Sequence, residues 1–221
     1  MGFSYIIRTM RKTIILVVIL ISLLTLVSCA STGKGSIEIE DLVVNGNNGF
    51  GVITNQSLST YNALTLEAVW KASDGSVIYK SICSSSKVLP AAGSIAFSFS
   101  APNNIDLSGS TVSIEIKEIN RSTATGHAHP FTLSGSNMKI SKQDVLEADV
   151  TGDYDGYFRE INYCIWGYDE ENNLVCVCSS SYSLTGYVGK TSHHITTYYN
   201  NFKGDRDKAV RFVLSFMGYG K

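Results

Sequence analysis

The sequence predicts an all-β fold that consists of two antiparallel β-sandwiches in tandem. Short runs of alternating apolar and polar residues recur along the chain, and turn sequences rich in Gly, Asn, Asp and Ser separate them. β-branched and aromatic residues dominate these runs, and no stretch keeps the apolar period that would indicate a helix. One-sided alternation of this kind is typical of antiparallel sheets with one face packed inward and one face in water.

A secretory signal is predicted at the start of the chain. Three basic residues precede the aliphatic run Ile14–Ile21, and residues 1–28 contain no acidic residue. A basic start, an apolar centre and small residues at the end are typical of a signal peptide. The apolar run is short for a membrane-spanning helix, which needs about 20 apolar residues. We therefore expect residues 1–28 to be a signal peptide, whose translation starts at Met1 or at Met10.

The end of the apolar stretch reads Leu26-Val27-Ser28-Cys29, which resembles the lipobox of bacterial lipoproteins. The resemblance implies that the Cys29 thiol receives diacylglycerol, that cleavage falls between Ser28 and Cys29, and that the new amine is acylated. Several acyl chains, at about 0.8 kcal/mol per buried methylene, anchor a protein stably. Ala30 replaces the Asp that favours inner-membrane retention in some lipoproteins. The expectation is an exported protein held by lipid on the outer membrane or cell surface; the alternative is an uncleaved signal anchor.

The rest of the chain divides by composition into a tether, two folded parts and a linker. The small residues after Cys29 suit a flexible tether, and a later polar stretch carries almost no large apolar side chain. We expect a signal peptide at 1–28, a lipid tether at 29–35, a first β-sandwich at 36–119, a linker at 120–129 and a second β-sandwich at 130–221.

Removal of the signal makes the chain acidic. The signal carries three of the 18 basic residues, which leaves 15 against 19 acidic residues and a net charge of −4. This balance argues against a nucleic-acid partner and against a polybasic membrane patch.

The first half contains six predicted strands and two clear turns. Ser73-Asp74-Gly75-Ser76 predicts a hairpin turn, and Pro90-Ala91-Ala92-Gly93 predicts a second turn. The strands are predicted around residues 37–40, 52–54, 64–70, 77–83, 95–99 and 112–117.

Residues 37–119 resemble small bacterial β-sandwich modules of the FxLYD or Ig-like type. The matching pattern is Gly51-Val52-x-Thr54-Asn55-x-Ser57, followed by Tyr61, an alternating strand and Asp74-Gly75. The chain departs from the family where an aromatic-Tyr-Asp should precede the Gly, because Trp70 is followed here by Lys71-Ala72-Ser73. The resemblance implies an extracytoplasmic accessory or binding module without known catalytic residues.

The second half is predicted to repeat the first. Tyr61 precedes Trp70 by nine residues, as Tyr157 precedes Trp166, and each Trp leads through a turn to a strand ending in Cys-Ser-Ser-Ser. The offset of 95–96 residues is that of a whole domain and not of a solenoid unit. The apolar residues before Trp70 lie an even number of positions from it and so share its parity, that is, its face of the strand. Those before Trp166 lie an odd number of positions from it and have the opposite parity. We therefore expect a bulge or gap in the second copy.

Four cysteines follow Cys29 and leave two alternatives open. Export permits disulfides, and a cross-strand bridge from Cys164 to either Cys176 or Cys178 is geometrically feasible. The alternative is that all are small buried thiols, which Cys83 favours because its half of the chain holds no second Cys. The sequence contains no Cys-x₂-Cys pair, the spacing that is typical of zinc sites.

The four histidines do not predict a metal site. His127 and His129 would share a face of an extended strand, but His193 and His194 are adjacent and would point to opposite faces. A third ligand is missing.

Tyrosines supply the candidate binding residues. Nine of the twelve lie beyond residue 150, and we single out Tyr187, Tyr198 and Tyr199. Exposed Tyr favours protein or sugar recognition, whereas the alternative is a Tyr-rich core. With no catalytic motif in sight, we expect a lipid-anchored, non-enzymatic binding or structural module with a protein or glycan partner and no cofactor. The alternative is a carbohydrate-binding module that uses the Tyr-rich second half.

Overall fold

A computed structural model describes residues 36–61, 63–86, 88–120, 129–141, 143, 145–152, 157–188, 192–198 and 201–220. The predicted signal, tether and lipidation site at Cys29 lie outside these residues, as does most of the predicted linker. Residues 37–221 form one compact unit. No helix in the described part of the chain is long and apolar enough to cross a membrane.

The all-β prediction is confirmed. Fourteen strands and one short 3₁₀ helix at Arg206–Lys208 make up the regular structure of the described residues. The strands are β1 Ile37–Asn45, β2 Asn48–Asn55, β3 Ala63–Lys71, β4 Val77–Ile82, β5 Ser84–Ser85, β6 Ser94–Ser100, β7 Thr111–Asn120, β8 His129–Ile140, β9 Val145–Gly152, β10 Tyr157–Tyr168, β11 Leu174–Val188, β12 His193–Tyr198, β13 Lys203–Gly204 and β14 Arg211–Gly220.

These strands form three antiparallel sheets. The central sheet has the order β1-β2-β6-β5, the three-stranded sheet has the order β4-β3-β7, and the seven-stranded sheet has the order β12-β9-β8-β14-β10-β11-β13. The predicted hairpin turn joins β3 to β4, where Gly75 has a φ of 83° and the Asp74 carboxylate accepts a 2.8 Å hydrogen bond from the Ser76 N–H. A positive φ suits Gly because it has no Cβ.

The predicted repeat has a counterpart in the strand pairing. The first half pairs β1-β2-β6 and β4-β3-β7, and the second half pairs β8-β9-β12 and β11-β10-β14 in the same arrangement. The second half differs because β14 also pairs with β8, where Phe216 lies opposite Leu133. This extra pairing joins the two sets of strands into one continuous sheet.

The central sheet lies between the other two sheets. Five consecutive residues of β2 are buried, and so are three consecutive residues of β6, which means that both faces of these strands are covered. One face carries Phe99, whose ring meets Trp70 of the three-stranded sheet at 5.5 Å. The other face carries Ala96, whose backbone contacts the Cys164 thiol of β10 in the seven-stranded sheet.

The larger hydrophobic cluster therefore takes side chains from both halves of the chain. Trp70 and Phe97 belong to it together with Trp166 and Val177. Strands of both halves thus share one core, and a division into two tandem domains at residues 120–129 is not confirmed.

Burial of both faces also explains the parity mismatch between the two copies. Cys164, Trp166 and Tyr168 of β10 point into the cluster shared with the first half. The alternate residues Ile161, Tyr163 and Ile165 point into a second cluster inside the seven-stranded sheet. Pairing of β10 with β11 runs without a shift from Glu160 to Gly167, and the register shifts of β10 lie at the two ends of this stretch, between Phe158 and Glu160 and between Gly167 and Tyr168.

A hydrogen bond also links the two halves directly. The Tyr168 hydroxyl donates to Asp41 Oδ2 of β1 at 3.0 Å. The Arg211 guanidinium lies 4.3 Å from the centre of the Tyr168 ring, a cation–π contact. Burial, together with the neighbouring Asp41, raises the pKa of Tyr168 to about 12, so the phenol stays neutral and donates.

Replacing Tyr168 with Phe tests this link. We expect a loss of about 1–2 kcal/mol in the free energy of unfolding, because the bond has a charged acceptor. Tyr182→Phe is the matched control, since the Tyr182 ring packs on the second cluster and its hydroxyl bonds to no other described residue. Urea denaturation of both variants measures the difference. Equal losses would show that the bond to Asp41 adds nothing.

The raised pKa of Tyr168 predicts that the stability difference between the wild type and Tyr168→Phe depends on pH. Since the folded-state pKa of Tyr168 is raised above its ordinary value, the neutral phenol stabilises the fold fully below about pH 10. This contribution is lost as the pH rises toward 12. The stability gap between the wild type and Tyr168→Phe should therefore shrink above pH 10.

Candidate ligand-binding cleft

A cleft of about 640 Å³ opens where one end of the central sheet meets the edge of the seven-stranded sheet. Its volume lies within the range of known ligand pockets, about 300–1,000 Å³. The lining consists of Asn45, Asn48, Gly49, Phe50, Ile82, Ser84, Ser98, Phe99, Ser100, Phe202, Lys203 and Gly204. We call this set the cleft.

Two very short edge strands bound the cleft. β5 has two residues and pairs with β6, and β13 has two residues and pairs with β11. Because both strands stop early, the sheets do not close over the gap between them. The cleft is thus a consequence of where the sheets end.

The β1–β2 hairpin places two side-chain amides at the rim. Asn45 and Asn48 face each other across the turn, which Gly46 makes with a φ of 57°. The neighbouring Asn47 amide donates to the Pro102 carbonyl at 2.8 Å and holds the hairpin in place. The two rim amides themselves are exposed.

The alternation of β6 supplies hydroxyl groups. Phe97 and Phe99 point toward the three-stranded sheet, so Ser98 takes the opposite face, beside Ser84 of β5. Ser100 lies exposed at the end of the strand. These serines reach the cleft from one wall.

The polar groups of the cleft have no partners among the described residues. The amides of Asn45 and Asn48, the hydroxyls of Ser98 and Ser100, and the ammonium of Lys203 form no hydrogen bond or ion pair there. Each is accessible and keeps its hydrogen-bonding capacity for a ligand. Lys203 is the only charged residue among the described residues that line the cleft.

Three phenylalanines and Ile82 form the apolar part of the cleft. Phe50 and Phe99 are almost fully buried, at 7% and 5% exposure, and Phe202 is half-buried. Gly204 has a φ of 92°, and a Cβ there would lie 2.2 Å from the Val175 carbonyl oxygen and 2.7 Å from the Phe50 ring. Only Gly therefore lets β13 pass this close to Phe50.

A second groove of about 300 Å³ continues from the cleft. It shares Ser84, Ser98 and Lys203 with the cleft and extends along β11 to Ser179 and to Asn201. The two volumes together form an elongated polar depression between the halves.

Of the three predicted binding tyrosines, the structure describes the side chain of Tyr198 alone. Tyr198 is 70% exposed at the end of β12 and does not line the cleft. Tyr199 and the side chain of Tyr187 lie outside the described residues. Tyr61 and Tyr163 are buried, as a Tyr-rich core requires.

The histidines of β12 point to opposite faces, as their adjacency predicts. His194 is exposed and its Nδ1 lies 2.9 Å from Asp149 Oδ1. The Asn137 amide donates to Asp149 Oδ2 at 2.6 Å, and these two bonds hold the pKa of Asp149 below its usual value. His193 is half-buried, and desolvation lowers its pKa.

No group of three metal-ligating side chains occurs among the described residues. His127 and the side chain of His129 lie outside them.

The four described cysteines are buried and form no disulfide with one another. Cys164 faces the shared cluster, whereas Cys178 faces the second cluster on the other side of the sheet, as does Cys176 by its position two residues earlier. A bridge from Cys164 to either is therefore excluded by the direction of the side chains. Burial raises the pKa of the Cys83 and Cys176 thiols to about 12, which keeps them unreactive.

Sequence reasoning missed the cleft. Asn45 and Lys203 are far apart in the chain and meet only because the two halves pack together. A signal was present in Ser94–Ser100, where serines alternate with large apolar residues. That pattern predicts a polar face but does not say what lies opposite.

No known family model matches the chain, and a search of curated proteins finds no match either.

Replacing Gly204 with Ala tests how tightly the cleft wall is built. We expect it to destabilise the protein by more than Gly109→Ala, the control, because Gly109 has a similar φ of 71° but open space around its Cβ position. Strain at the positive φ costs both variants roughly 1–2 kcal/mol, and only Gly204→Ala adds the clashes with the Val175 carbonyl and the Phe50 ring. Thermal and urea denaturation measure the two losses. Equal losses would mean that β13 does not pack tightly against Val175 and Phe50.

Proposed function

We propose that this protein is a lipid-anchored, non-enzymatic protein of the cell envelope that binds a ligand in the cleft. The observation that carries the proposal is the set of unpaired amide and hydroxyl groups above buried aromatic rings. A concave apolar site with a few convergent polar groups is typical of ligand binding. Amides and hydroxyls orient a bound molecule because they donate and accept hydrogen bonds in fixed directions.

The proposed location in the cell envelope is argued from the N-terminal residues. The lipobox-like Leu26-Val27-Ser28-Cys29 follows a short apolar run with a basic start. Lipid on Cys29 would hold the folded part at the membrane surface through residues 29–35. Ala30 supports the outer membrane or cell surface. The mature charge of −4 suits neither nucleic acid nor direct adsorption to anionic lipid.

The anchor is tested by Cys29→Ala in the full chain. We expect the variant to leave the membrane fraction and to lose labelling by a radioactive fatty acid, because the thiol that receives the lipid is gone. Cys83→Ala is the matched control, since Cys83 is a buried thiol of the folded part. A Cys29→Ala protein that remains in the membrane fraction and is still labelled would contradict the proposal.

The cleft is tested by cross-linking in living cells. A photo-crosslinking amino acid at Ser100, which lines the cleft, should give a covalent adduct with an envelope component. The same amino acid at Asn104, which is exposed outside the cleft, is the control. The adduct should be detected by its altered mobility in gels. No adduct from Ser100, or equal adducts from both positions, would contradict ligand binding in the cleft.

A second candidate function is carbohydrate binding on the Tyr-rich second half. It is favoured by the 70% exposure of Tyr198, since an exposed Tyr offers apolar area and a hydrogen-bonding tip. Tyr198 is not among the residues that line the cleft. Substitution at each place therefore separates the two candidates.

A further inference from the structure

We infer that the ligand of the cleft is an oligosaccharide that carries an acidic group. This inference rests on the proposed binding function and adds the chemistry of the ligand. It is argued from the kind, number and arrangement of the groups that line the cleft.

The neutral polar groups match a ligand rich in hydroxyls. Asn45 and Asn48 each offer two N–H donors and one carbonyl acceptor, and the serines each offer a donor and two acceptor lone pairs. A ligand that fits must both donate and accept at several neighbouring points. Sugar hydroxyls do this, and adjacent hydroxyls on one ring present a donor and an acceptor side by side to an amide.

The aromatic part of the cleft suits the apolar faces of sugar rings. Phe202 is half-buried; its ring packs at 6.2 Å against Phe212, and the Arg206 guanidinium lies 5.8 Å from its centre. Phe50 and Phe99 also line the cleft and are almost fully buried, Phe50 on the same face of the central sheet as Ser98. A sugar ring has C–H groups on its faces and hydroxyls on its rim, so it fits an apolar floor with a polar wall.

Lys203 is the observation that indicates an acidic group on the ligand. Among the described residues of the lining it carries the single charge and no carboxylate occurs, and its ammonium makes no ion pair with a described residue. A carboxylate on a sugar would form a charge-assisted hydrogen bond with it. A ligand with many negative charges would need more cations than one.

Other ligand classes fit less well. A purely apolar molecule would cover the amides and hydroxyls without bonding them, and each unmet group costs free energy. An extended peptide pairs with a long sheet edge, but β5 and β13 offer two residues each. Both classes are outcomes that the experiment detects.

The test uses full-length protein purified in detergent on an array of oligosaccharides. The array holds uronic-acid-containing and neutral members, taken from bacterial envelopes and from animal tissue, so that it also identifies the source. We expect binding to acidic members, and titration calorimetry then measures the dissociation constant for the best one. A soluble peptide library is screened in parallel.

Two variants and one control locate the site. The double variant Asn45→Ala/Asn48→Ala should weaken binding roughly tenfold or more, since two hydrogen-bonding amides are lost. Lys203→Gln should remove the preference for acidic over neutral members. Asn103→Ala/Asn104→Ala, two exposed amides outside the cleft, should change neither. All substituted residues are exposed, and thermal denaturation confirms that each variant is folded.

The outcomes separate this inference from the proposed function. If no oligosaccharide binds while Ser100 still gives its adduct in cells, the ligand class is wrong and the binding function stands. If neither is seen, both are wrong. Binding that survives the Asn45→Ala/Asn48→Ala change but is lost in Tyr198→Ala would overturn the cleft as the site. Equal binding of acidic and neutral members, unaffected by Lys203→Gln, would show that the ligand needs no acidic group. Binding of peptides alone would show that the ligand is not an oligosaccharide.

Discussion

Burial of the central sheet on both faces is the contact on which the rest of this structure depends. In β2 the neighbours Val52 and Ile53 are both fully buried, as are Ala96 and Ile95 opposite them in β6. Such a pair of strands is stable only with a cover on each side, because exposure of either face would place apolar area in water, at about 25 cal/mol per Å². The three-stranded sheet supplies one cover and the seven-stranded sheet supplies the other.

This constraint decides how the second half is used. β10 serves two clusters, with Trp166 in the shared one and Tyr163 in the other. It is therefore apolar on both faces, and side chains of either parity are interior. Both halves have the same strand pairing. In the second half, however, both faces of β10 are covered, one by the cluster shared with the first half and one by the second cluster.

The cleft follows from the same packing. Two sheets in face-to-face contact leave a gap where the shorter one ends, and here the ends are the two-residue strands β5 and β13. Small residues at the contact, such as Gly204 beside Phe50, bring the sheets close and fix the depth of the gap. Polar side chains at this margin make no hydrogen bond with another described residue.

Much of the fold was determined by the sequence alone. Alternation located the strands, since a side-chain period of two is a property of the extended backbone. Asp74-Gly75 located its turn, because Gly accepts a positive φ and the Asp carboxylate accepts a hydrogen bond from the N–H two residues later. The repeat of aromatic and Cys-Ser positions predicted two copies, and their pairing patterns agree. The basic and apolar start of the chain carries the prediction of export and lipidation by itself.

Only the tertiary structure decided how the two copies meet. The covering of the central sheet, the joining of β8 to β14 and the direction of Trp166 all depend on surfaces far apart in the chain, and local pattern contains no information on which surface packs on which. For the same reason Asn48 and Lys203 do not stand out as a site in the sequence. Each is an ordinary polar residue at a strand end, and becomes part of a binding surface only when the two halves bring them to the same cleft.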